Sequence, residues 1–482
     1  MTPVLILTCI AGYFAFLLLI AWVTSRNATN AAYFLGNKVS PWYAVAFGMI
    51  GDSLSGVTFI SVPGWVGTKQ FSYLQMVLGY VVGYAVIAGV LLPLYYRLNL
   101  TSIYSYLGER FGPNAQKTGS AFFLLSRTLG AAARLYLAAG VIQAFVFEDW
   151  GVPFALTVAV IIGLMLVYTF RGGIKTLVWT DTFQSTFLLL GVVLSIVAIA
   201  GELNLGAGGL VGALADSAHT QVFFWAWLDD KNFWKQFIGG AFVAVCMTGL
   251  DQNMMQKNLS CRSLADAQKN ILWFSGVVVI VNVLFLSLGA LLYQYAELKG
   301  IAIPRNTDQL FPLLALQHLG KLAAVVFVIG LTAATFSSAD SVLTTLTTSF
   351  CIDILGIDRN AGWTEQRKTQ LRHRTHLVFA VVLLGAILVF QAAGSPAVIQ
   401  LVLKLANYTY GPLLGLFAFG LLCKTPVLDH KVPFICLLSP AVCYVLDERS
   451  AAWFGGYRFG NELLVVNGLL TCLGLFLARK SK

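Results

Sequence analysis

The chain has 482 residues, of which 58% are hydrophobic and only 11% charged. That composition excludes an ordinary soluble domain, whose surface needs far more charge, and leaves a protein embedded in a lipid bilayer. A formal charge of +10 would suit a nucleic-acid binder, but the placement of the basic residues along the chain argues against one.

A helix that crosses the hydrocarbon core needs about 20 mostly apolar residues. Thirteen spans are predicted, at roughly 3–23, 41–65, 73–96, 118–145, 153–170, 179–201, 235–256, 271–296, 322–350, 376–394, 396–423, 432–446 and 461–478. The first has neither a basic leading region nor an obvious cleavage site, so it reads as a retained helix rather than a signal peptide. With the N-terminus outside and the C-terminus in the cytoplasm, 20 of the 31 Lys and Arg residues fall on the cytoplasmic side. Eight fall outside, and Arg127, Arg134 and Lys404 lie within spans. This bias is the positive-inside rule. It predicts a multi-pass protein of a plasma membrane, a bacterial inner membrane, with no nucleic-acid partner. The connecting loops are too short for independent cores, so residues 1–482 read as one domain.

The second span, GMIGDSLSGVTFISVPGWVG, carries Asp52, Ser53, Ser55, Thr58 and Ser61 among glycines and Pro63. The seventh, GGAFVAVCMTGLDQNMMQKN, sets Gly249 before Asp251. Polar backbone and side chains are costly in lipid unless they line a cavity or find partners. Broken helices five spans apart are the mark of secondary transporters built from inverted repeats. The predicted breaks lie near Gly51–Gly56 and Met247–Asp251.

In the ninth span Ala334, Ser337, Ser338 and Ser341 share one helix face. Hydroxyls and a freed carbonyl at mid-membrane depth suit a hard cation. Small residues there also suit close helix packing, and both readings stand on pattern alone. Asp340 lies on the same stripe, Asp52 in the second span and Asp181 near the start of the sixth. A carboxylate inside a membrane reads as functional, with a structural ion pair as the plainer alternative. Arg127 and Arg134, seven residues apart in the fourth span, share a face and could pair with Asp52 or Asp340, or meet an anion. Lys404 could snorkel to the outer interface or face a cavity. No Walker motif, nucleophile elbow or zincin helix occurs, so no enzyme activity is expected. The eight cysteines have no paired spacing. The Asn-x-Ser/Thr triplets at Asn27, Asn99, Asn258 and Asn407 fall inside or within spans and read as chance matches.

Four stretches resemble the sodium:solute symporter family: GDSLSGVTFISVPGW at 51–65, LTSIYSYLGERFG at 100–112, YTFRGGIKTLVWTDTFQ at 168–184 and TAATFSSADSVLTTLTTSFCIDI at 332–354. DQNMMQK at 251–257 is similar to the cytoplasmic end of that family's seventh helix. The resemblance implies a LeuT-type five-plus-five inverted repeat, over about 41–201 and 235–423, with flanking helices at 3–23, 432–446 and 461–478. It implies a Na+ site from the carbonyls of Gly51, Leu54 and Ala334 and the hydroxyls of Ser337 and Ser338. A second cation site is implied at Asp181, Ser337, Asp340 and Ser341, with Asp340 standing where relatives carry Ser. Ser53, Ser55, Thr58, Ala244, Met247, Thr248 and Lys404 are implied to face the solute. The expected activity is sodium-coupled symport of a small solute, an anion by the presence of Lys404, by a monomer in the lipid bilayer. A proton-coupled transporter of the same fold is one alternative. A membrane solute sensor is another, against which the short tail LFLARKSK weighs.

Overall fold

With no water in the bilayer to satisfy a backbone amide, a chain of this composition has to fold as helices. Helix is the only extended regular structure among the described residues of the computed structural model, which are 3–26, 29–360, 362–393 and 398–480; the side chains of 3–6, 145, 146, 149, 171, 207 and 398–401 are not described. Asn27 and Ala28 of the first triplet and the last two residues of the tail lie outside the described residues.

The first half contains α1 (Pro3–Thr24), α2 (Trp42–Ser53), α3 (Gly56–Lys69), α4 (Tyr73–Arg97), α5 (Pro113–Ile142), α6 (Phe154–Phe170) and α7 (Gly172–Glu202). The second contains α8 (Phe233–Gly249), α9 (Gln252–Asn258), α10 (Leu264–Leu298), α11 (Gly320–Ile354), α12 (Glu365–Ala393) and α13 (Val398–Leu422). They are followed by α14 (Val432–Trp453) and α15 (Leu463–Leu477). Eight described helices are long and apolar enough to cross a membrane, or ten when α2–α3 and α8–α9 each count as one bent span. The two pairs bend by 55° and 66°. Both breaks fall where the sequence predicts them.

Local chemistry sets these boundaries. Leu54 leaves helical geometry (φ −99°, ψ 63°) and Ser55 is extended, which ends α2 and restarts the chain as α3. α8 begins at Asn232, whose side chain accepts from the amides of Trp234 and Lys235. Asp251 caps α9 in the same way, accepting from the Met254 amide. The sixth span starts earlier than the predicted residue 179. Gly173 takes φ 51°, so the chain turns there without the loop that the sequence reading inserts. α12 likewise begins at Glu365, ahead of the predicted 376, because its first turns are polar and carry Arg367, Lys368, Arg372 and Arg374.

α11 is the most deeply buried of the eight long apolar helices and packs against α2, α5 and α7. α4 and α8 lie backbone against backbone. A methyl group added at Gly79 would stand 2.1 Å from the Phe237 carbonyl oxygen, and one at Gly240 would stand 2.1 Å from that of Met76. Small residues permit this approach in a membrane, where no hydrophobic force pulls helices together.

Candidate functional site: two broken helices and a buried charge cluster

The break after Ser53 removes the in-helix donors for the last carbonyls of α2, and the negative end of its dipole accumulates there. Opposite that end stands α11. A methyl group at Gly51 would meet Ser337 Oγ at 2.5 Å and Ser185 Oγ at 2.8 Å, so only glycine lets the three helices α2, α7 and α11 close. The Gly51 amide donates to Ser185 Oγ at 2.9 Å. Ser337 Oγ is buried without a hydrogen-bond partner. The Ser338 hydroxyl donates to the Thr335 carbonyl of its own helix at 3.1 Å, which leaves the lone pairs of its oxygen unspent. The structure thus brings Gly51 and Ser337 together, with Leu54 at the break and Ala334 and Ser338 buried on α11.

The residues expected for a second cation site also gather, but around a side chain that the sequence reading assigned to the cytoplasmic surface. Lys257, at the end of α9, is fully buried. Its ammonium donates to Asp52 of α2 and to Asp181 Oδ2 of α7, the latter at 2.5 Å. Ser341 Oγ donates to the same Asp181 oxygen at 3.3 Å. Asp340 accepts from Tyr168 at 2.7 Å and from the Ser341 amide at 2.5 Å. Asn253 adds a bond to Asp52 at 3.2 Å.

Arg127 is paired, but its partner is neither of the expected aspartates. Its Nε donates to Asp251 Oδ2 at 2.5 Å and its Nη2 to the Met247 carbonyl at 3.2 Å. Tyr410 of α13 donates to the same Asp251 oxygen at 2.5 Å. Asp52 is unavailable to it because Lys257 already holds that carboxylate. Arg134, two turns further along α5, makes no ion pair or hydrogen bond among the described residues.

Between these elements lies a central cavity with about 90 Å³ of room. Its walls include Ser53, Ser55, Thr58, Ala244, Met247 and Thr248, all expected from sequence, together with Asp52, Arg127 and Arg134. Tyr80, Tyr84 and Asn282 complete it, and no sequence signal marked them. Lys404 is the exception. Its side chain is 55% exposed, lines a separate outer cavity and faces Asp447 at 3.7 Å and Glu448 at 4.0 Å. The expectation that Lys404 faces the solute is therefore corrected, because its side chain is exposed, lies outside the central cavity and has acidic neighbours there. Of the three cations expected within spans, Arg127 and Arg134 line the central cavity. Tyr73 and Leu403 line both cavities, which are therefore neighbours.

Two helices broken at corresponding places, with freed carbonyls, hydroxyls and charges converging on a cavity, define a secondary transporter of the LeuT type. The solved structures agree. A Na+-coupled sialic acid symporter in a substrate-bound outward-open state superposes with a TM-score of 0.82 at 22% identity over 99% of each chain. A nucleobase-cation-symport-1 family transporter in a closed conformation gives 0.55 at 14% identity over 93% of each. The chain belongs to the sodium:solute symporter family, whose model matches residues 33–426. It is accordingly a sodium-coupled membrane transporter and not an enzyme. A sodium/sialic acid symporter of Aliivibrio fischeri is 24% identical over 92% of this chain and 88% of the relative. Sodium-coupled monocarboxylate transporter 1 of Mus musculus is 26% identical over 83% of this chain and 66% of the relative.

Proposed function

We propose that this chain couples Na+ entry to the uptake of a small organic acid, whose carboxylate meets Arg134 in the central cavity. The observation that carries this reading is the contrast between two arginines on one helix face. Arg127 is spent on Asp251, whereas Arg134 lines the cavity with no ion pair among the described residues. A guanidinium offers a planar pair of donors that matches a carboxylate, and burial strengthens the match. Hydroxyls of Ser53, Ser55, Thr58 and Thr248 stand ready for the remaining polar atoms of the solute. The names of the relatives, sialic acid and monocarboxylate symporters, support an acid as the class.

In the same reading, Gly51, Leu54, Ala334, Ser337 and Ser338 supply the oxygens for Na+. Thirteen spans set the N-terminus outside and the C-terminus in the cytoplasm of a bacterial inner membrane, and the chain acts as a monomer. The test is uptake into proteoliposomes with and without a sodium gradient, across carboxylates, amino acids, sugars and inorganic anions. Sodium-driven uptake of one or more carboxylates is expected. Arg134→Gln should abolish it while sodium still stabilises the protein, and Lys404→Gln should leave it close to normal. Uptake of only a neutral solute, or normal acid uptake by Arg134→Gln, would overturn the assignment.

A further inference from the structure

Four residues were expected to form a second cation site, and three of them are already bonded to groups of the protein. Asp181 accepts from Lys257 and Ser341, and Asp340 accepts from Tyr168 and the Ser341 amide. Only Ser337 keeps a hydroxyl without a partner, and that residue belongs equally to the first set. The ammonium of Lys257 bridges Asp52 and Asp181, carried there by the bend between α8 and α9. It bears the charge of a sodium ion and satisfies one oxygen of each carboxylate. A mobile cation bound on Asp181 would sit within a few ångströms of this fixed positive charge, where like charges repel strongly in a low-dielectric interior.

We infer that Lys257 is a tethered cation standing where a second coupling ion would bind, so that the chain carries one mobile Na+ per solute. The bonding around Lys257 supports this, since its ammonium already spans the two carboxylates that a second ion would need. Each of Asp52 and Asp181 also keeps one buried oxygen without a partner, so removing the ammonium would open a site rather than close one. The inference rests on the sodium-coupled reading above, and the experiment separates the two.

The probe is Na+ alone, with the full-length chain purified in detergent and its melting followed against sodium concentration. Each ion bound only to the folded state adds its own logarithmic increment, so the limiting slope counts ions. Wild type should show the slope of one ion. Lys257→Gln should show about twice that slope, and Lys257→Arg, which keeps a cation, the wild-type slope. Ser338→Ala should move the whole sodium response to higher concentration as one curve. A two-ion slope in wild type, a Lys257→Gln slope equal to wild type, or a second sodium response left unshifted in Ser338→Ala would overturn the tethered-cation assignment. Where Lys257→Gln does not fold, the wild-type and Ser338→Ala slopes decide alone. Complete absence of sodium stabilisation in wild type would instead sink the sodium-coupled reading itself.

Discussion

Asp251→Ala should be among the most damaging single substitutions in the chain. The Asp251 side chain is wholly buried and that of Arg127 is 7% exposed. Deleting one partner of a buried ion pair leaves the other charge desolvated and unpaired, at a cost of about 3–5 kcal/mol. The same carboxylate accepts the Tyr410 hydroxyl and caps α9 through the Met254 amide. Losing the cap adds roughly 1 kcal/mol. Because these effects share one side chain they will not sum fully, and a net loss of about 4 kcal/mol is expected. That is on the order of a thousandfold in the ratio of folded to unfolded protein. Asp251→Asn keeps an acceptor for the cap and for Tyr410, and should lose about half as much. The double substitution Arg127→Met with Asp251→Leu removes both charges and should recover most of the loss, since the uncompensated charge is the main penalty. Unfolding in mixed micelles, read by helical circular dichroism, measures all four proteins. A loss below about 1 kcal/mol for Asp251→Ala, or a double variant as unstable as Asp251→Ala, would refute the reasoning.

Other expectations follow from the same geometry. Ser338→Ala should raise the sodium concentration for half-maximal uptake by about tenfold, the loss of one oxygen ligand, while leaving solute affinity at saturating sodium unchanged. Gly51→Ala drives a methyl to 2.5 Å from Ser337 Oγ; it should cost about 1–3 kcal/mol in stability and weaken sodium dependence, as melting and uptake titrations together would reveal. Titrating sodium with and without the transported acid, and the acid with and without sodium, should give equal enhancement factors at equilibrium, because linkage is reciprocal.

The breaks in α2–α3 and α8–α9 were legible because glycine, serine and aspartate in an apolar span have no other good explanation. The wall of the central cavity on those helices was legible through the resemblance, which implied that Ser53, Ser55, Thr58 and Thr248 face the solute, and all four line that cavity. The charge pairing was not. That Arg127 needs a carboxylate follows from burial alone, but which one depends on how α5 and α8 meet, and sequence order carries no trace of that. Lys257 was misplaced because counting basic residues by loop assumes straight helices. A 66° bend turns the end of the seventh span back into the protein and takes Lys257 with it. Lys404 was misread for another reason: its place in the span does not say which face of the helix it occupies, and that face turns it toward Asp447 and Glu448. Tyr168, Tyr410 and Ser185 are ordinary span residues by pattern, and only packing gives them partners.

The contact between α4 and α8 has a mechanical meaning. Where Gly79 and Gly240 let main chain touch main chain, no side chain lies between the helices to change rotamer and absorb a displacement. Such a seam is stiff. A push on one helix reaches the other, so α4 and the arm of the α8–α9 bend are yoked and tilt in step, like two spokes on one hub.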